Sequence, residues 1–89
     1  MEVSELRNIG IAMKKKLRAV GINSAEELLQ AGSREAFVRL KAAYPQVCLV
    51  HLYSLQGAID NLAFNQLPQN VKLELKEFCD ALKQAESLK

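Results

Sequence analysis

Residues 6–28 read LRNIGIAMKKKLRAVGINSAEEL, and the fold is decided by how this stretch is punctuated. Asn8-Ile9-Gly10 is a turn: Asn and Gly accept positive φ, and Ile9 is placed to point inward. A helix follows from Gly10 to Val20. On its wheel Met13, Leu17 and Val20 cluster, and Lys14, Lys15 and Arg18 take the opposite arc, with Lys16 on the boundary. Gly21 is positioned as a left-handed cap, and Ile22 behind it supplies the apolar contact such caps favour. Ser24 and Glu27 have capping-box spacing, so another helix starts at once. Ser4 is read as the cap of a short first helix carrying Glu5, Leu6 and Arg7, so the stretch sets three short helical arms around two tight turns.

The remaining chain continues the helical pattern. Leu28 and Leu29 belong to the helix that stops at Ala31-Gly32, and Ser33 is read as the cap of the next. Phe37, Leu40 and Tyr44 stripe that helix until Pro45 ends it. Val47 to Leu62 is apolar around most of its circumference, which predicts a central helix packed on several sides. Its CLVHLY run would also suit a strand, but the pattern exceeds strand length and has no partner strand. Gly57 is read as the mark of a close helix crossing. Leu67-Pro68 opens a last helix with Val71, Leu75, Phe78 and Leu82 on one face. The expectation is an all-α, compact bundle of about five helices with an N-terminal helix-hairpin-helix, a single domain over residues 1–89 whose hairpin module spans 4–31.

Composition narrows the function classes. The chain has 89 residues and a net charge of +2, too little to argue for nucleic acid by itself. The charge is unevenly spread, however. Residues 1–24 hold five cations against two acids, a local +3, and every later segment is neutral or slightly acidic. No apolar run approaches the ~20 residues of a membrane span, and no signal-peptide pattern follows Met1. The reading is a cytoplasmic protein with no membrane contact. Cys48 and Cys79, the only cysteines, are expected as two buried, reduced thiols. With a single His51 and no CxxC, no zinc set is expected, nor any cofactor. Cys48 and His51 share a helix face, but Asp60 lies roughly 13 Å further along at 1.5 Å per residue, too far to orient the imidazole. Catalysis is not expected.

Leu6, Ile9, Gly10, Leu17, Val20, Gly21, Ile22, Ser24, Glu27 and Leu28 follow the helix-hairpin-helix pattern position by position. Together with FVRLK at 37–41, YSLQGA at 53–58 and NQLP at 65–68, they make nearly the whole chain resemble the C-terminal domain of the TfoX/Sxy competence-regulator family. The resemblance implies an all-helical, regulatory, non-enzymatic domain, here a free-standing copy. The chain departs from the pattern at Asn8, where many nucleic-acid-binding hairpins have a first glycine, and at Phe64, where the family often carries Trp.

A helix-hairpin-helix presents backbone amides to a phosphate. The candidate nucleic-acid-binding residues are accordingly Asn8, Ile9, Gly10 and Ile11 in the turn, with Lys14, Lys15 and Arg18 supplying attraction. DNA, met through its backbone, is the favoured partner. A regulatory protein is the alternative, with Tyr44, Tyr53 and Phe64 as its candidate anchors.

Overall fold

The computed structural model describes residues 5–87, and within them every regular element is helical. Four α-helices follow one another: α1 (Ile11–Ala19), α2 (Ala25–Ala43), α3 (Leu49–Asp60) and α4 (Gln69–Ser87), with a 3₁₀ turn at Phe64–Gln66 before the last. This is fewer than the five or so expected, for two reasons. Leu6 and Arg7, expected in a first helix, join Asn8 in a turn. The two helices expected on either side of Gly32 are both present, but as two arms of the single element α2, separated where Gly32 adopts φ +82° and ψ +163°. The Ser4 cap expected for the leading arm of the hairpin lies outside the described residues.

The caps explain the boundaries. At the end of α1 the Ile22 N–H donates to the Leu17 carbonyl at 2.9 Å and Gly21 N–H to Arg18 at 3.1 Å. With Gly21 at φ +88°, this is a Schellman closure, and Ile22 is buried by it. The Ser24 hydroxyl accepts from Glu27 N–H at 3.1 Å, capping α2. The Glu27 carboxylate reaches back one residue beyond its expected partner and accepts from Asn23 N–H at 3.1 Å. Glu26, also in this first turn, has its carboxyl held below the ordinary carboxylate range, first by its own backbone N–H. Lys41 spans the turn after α2, donating to the carbonyls of Pro45 and Val47 at 2.7 and 2.8 Å.

α3 is the central element, as its all-round apolar pattern requires. It packs most extensively on α2 and also meets α4 and the 3₁₀ turn, whereas α1 docks on α2. Leu17, Ile22, Leu28, Phe37, Leu40, Val47, Leu52, Leu55 and Leu75 are fully buried and form one cluster. α4 contributes Leu75 and Cys79, with Val71, Phe78 and Leu82 half-buried beside them.

Three expectations are corrected by tertiary contacts. Ser33 is buried and its hydroxyl donates to Gln56 Oε1 at 2.5 Å, so it ties α2 to α3 instead of capping a helix. Cys48 is exposed, because it is the N-terminal cap residue of α3; only Cys79 is buried. Gly57 admits no neighbouring helix. A Cβ there would meet the Leu62 carbonyl oxygen at 2.5 Å and Asn8 Nδ2 at 2.6 Å, so the close approach comes from a returning loop and one side chain.

Candidate functional site

α1 differs from α2 in how it begins. Its N-cap is Gly10, in the extended conformation of a cap residue (φ −92°, ψ −175°) but with no side chain to bond the first amides, and its first turn holds no acid. The first intrahelical bond runs from Lys14 N–H to Gly10 O at 2.9 Å. The amides of Ile11, Ala12 and Met13 therefore have no acceptor within the helix. A Cβ placed on Gly10 would meet nothing within 4 Å among the described residues.

The residues along this face are polar or charged apart from the first. Ile11, Lys14, Lys15 and Arg18 fall on one stripe at three- and four-residue intervals, about 10 Å from end to end at 1.5 Å per residue. Lys15 and Arg18 are exposed, Lys14 is half-buried, and Ile11 is 71% exposed. Lys16 leaves the stripe: its ammonium lies 5.5 Å from the centroid of the Tyr44 ring, joining the end of α1 to the end of α2. Lys16 and Arg18 also stand in the last turn of α1, where cations complement the carbonyl end of the helix. The basic stripe thus has a structural component as well as an electrostatic one.

Two of the expected contact residues turn inward. Ile9 is 4% exposed and part of the core, and its N–H donates to Leu6 O at 3.3 Å. Asn8, at φ +68°, directs its carboxamide into the protein. Its Nδ2 donates to the carbonyls of Ser54 (3.3 Å) and Leu62 (2.9 Å), and its Oδ1 accepts from Phe64 N–H at 3.2 Å. Neither Asn8 nor Ile9 offers its side chain to a ligand. Gly10, Ile11, Lys15 and Arg18 remain outward, and Ala12 and Met13 join them through their amides. Helix phase would have found these two, once the helix is started at Ile11 and not at Gly10.

Other groups are committed elsewhere. Cys48 Sγ lies 3.5 Å from His51 Nδ1, but that nitrogen is 3.1 Å from Cys48 N and accepts its N–H, closing the cap of α3. The Asp60 carboxylate accepts from Gln56 Nε2 at 2.9 Å and does not orient the imidazole. Among the described residues no three His, Cys, Asp or Glu side chains gather closely enough to hold a metal. An open depression is lined by Gly21, Ile22, Glu27, Gln30, Ala31 and Arg39. Glu27 is already used by Asn23 and Arg39 by Glu35, at 3.4 Å, and no residue of the basic stripe lines it. Among the described residues no helix is long and apolar enough to cross a membrane.

The model of the TfoX C-terminal domain matches residues 1–79. The chain belongs to that family. Two solved structures share this chain's fold. An uncharacterized protein from Listeria monocytogenes, in a triclinic crystal form, is 37% identical over 93% of this chain and 94% of its own, with a TM-score of 0.90. A protein of unknown function from Listeria monocytogenes, in a tetragonal form, is 39% identical over 90% of this chain and 98% of its own, with a TM-score of 0.87. No curated protein gives a significant match. For a TfoX C-terminal domain the family points to a regulatory role rather than to catalysis.

Proposed function

We propose that this domain is a regulatory, non-enzymatic binding module of the cytoplasm that contacts a nucleic-acid backbone without reading its sequence. A phosphate would sit on the amides of Ile11, Ala12 and Met13, and Lys15, Arg18 and Lys14 would draw the neighbouring phosphates. The observation that supports this is the start of α1 at Gly10, which has no side-chain cap among the described residues, set against the start of α2, where the Ser24 hydroxyl caps Glu27 N–H. A helix end with open donors and no acid of its own favours an anion through both hydrogen bonding and its dipole. Contacts of this kind give affinities of roughly 10⁻⁴–10⁻⁶ M at physiological salt.

Titrating a short DNA duplex at low and moderate salt tests the reading, with Gly10→Ser as the decisive variant. A serine hydroxyl would occupy the same amides without altering the charge. It should raise stability by a few tenths of a kcal/mol, as a better N-cap does, and weaken duplex binding several-fold. Equal binding by parent and Gly10→Ser would remove the amide site. Lys15→Gln with Arg18→Gln should lower the dependence of log affinity on log salt by up to about 0.9 for each phosphate that is no longer neutralised.

A second reading, a docking face for a regulatory protein, is favoured by Ile11, whose side chain is 71% exposed at the mouth of the site. Phe64 is a further exposed aromatic, while Tyr44 and Tyr53 are half-buried. A parent protein that binds no duplex at low salt would leave this second reading standing alone.

A further inference from the structure

Asn8 occupies the position before the anion-facing turn, yet all its side-chain bonds run the other way. Its two N–H donors reach Ser54 O and Leu62 O, and its carbonyl holds Phe64 N–H, partners 46 to 56 residues away in sequence. Gly57 provides the room, since a Cβ there would lie 2.6 Å from Asn8 Nδ2. The first half of α1 buries little of its own surface. Ile11 and Ala12 are exposed and Met13 is half-buried, and the one fully buried residue of the helix, Leu17, lies in its second half. The core side chain of Ile9 and the bonds of Asn8 therefore anchor the start of α1 from the residues that precede it.

We infer that Asn8 is the positioning residue of the proposed site, holding the first turn of α1 against the C-terminal end of α3 so that its amides converge on one point. The inference rests on the proposed function and adds a coupling between the site and the connector 61–66. Asn8 does not touch the ligand. It sets the geometry of the residues that do, and a ligand on those amides in turn strengthens the contact of Asn8 with Phe64.

Two variants cut this link from opposite sides. Asn8→Gly keeps a residue at ease with positive φ and removes all three bonds. Phe64→Pro deletes the N–H that Asn8 Oδ1 accepts, at a first helical position that proline tolerates. In hydrogen exchange without ligand, both should speed the Lys14 amide, the first bond of α1. Exchange of the Leu55 amide in α3 should stay unchanged and report that the fold is intact. Asn8→Gly should also weaken binding of a short DNA duplex by roughly tenfold, the effect of one or two ordinary hydrogen bonds. The salt slope should remain that of the parent, because Lys15 and Arg18 are untouched. Lys14 exchange that matches the parent in both variants, or a parent-like duplex affinity for Asn8→Gly, would overturn the inference. A parent protein that fails to bind overturns the proposed function itself, and needs no variant to reveal it.

Discussion

Asn8 Nδ2 donates to the Leu62 carbonyl at 2.9 Å, joining the first turn of the chain to the residue that follows the left-handed cap of α3. Asn61 makes this meeting possible: at φ +58° it reverses the chain, and Leu62 N–H closes back on Gly57 O at 2.8 Å. The same Leu62 carbonyl would lie 2.5 Å from a Cβ on Gly57. Sequence-distant backbone and one carboxamide thus share the space above a single glycine.

Gly57→Ala should consequently destabilise the protein, although alanine is the better helix former by up to about 1 kcal/mol. The steric cost at a backbone oxygen dominates, and a net loss of about 1–3 kcal/mol is expected in urea unfolding. In an Asn8→Gly background the loss should shrink, because one of the two obstructing atoms has gone. A double-mutant cycle reads this directly, and strict additivity would mean that Asn8 and Gly57 are not in contact.

Gly32 and Gly10 should respond differently to alanine. Gly32 sits at φ +82° and ψ +163°, a region nearly closed to other residues, so Gly32→Ala should cost about 1–3 kcal/mol and disturb the break in α2. Gly10 has ordinary extended dihedrals and open space, so Gly10→Ala should cost no more than about 1 kcal/mol, the usual penalty for a poor N-cap. Comparable losses at both positions would contradict the backbone geometry.

Lys16 and Lys15 are neighbours with separate tasks. Lys16→Gln removes the contact over Tyr44 and should lower stability by about 0.5–1 kcal/mol. Lys15→Gln should leave stability within about 0.5 kcal/mol, as surface changes do. Duplex binding should show the reverse order, with the larger fall in salt dependence at Lys15. The test is thermal unfolding and duplex titration on the same two variants.

The two thiols should separate cleanly under a disulfide exchange reagent. Cys48 is exposed and should react in the folded protein, whereas Cys79 is 2% exposed and must wait for opening of α4. A rate difference of at least about 10³ is expected if opening follows the global equilibrium of a small domain. Equal rates would mean that α4 leaves the core readily.

Much of this architecture was legible because it is written in short-range patterns. The glycine closure at Gly21-Ile22, the Ser24 cap, the stop at Pro45, the start at Pro68 and the apolar stripes of α3 and α4 involve residues within about one helical turn of each other. Such signals act before the chain is folded, so the residues themselves reveal them. The open start of α1 at Gly10 and the stripe of Lys15 and Arg18 were legible for the same reason.

The amino-acid order alone therefore determined an all-helical chain, its main breaks, its central helix and one outward basic face. Only the packed molecule decided which way Asn8 points, that Ser33 bonds Gln56, that Lys16 lies on Tyr44, and that Cys48 stays in solvent. Each of these depends on a partner brought near by folding, or on a helix end whose position is set by its neighbours. A side chain with two possible uses, capping or cross-linking, facing water or facing protein, takes the one that satisfies the buried carbonyls and amides around it. Those groups come together only when α3, its reversed C-terminus and the first turn already share one core.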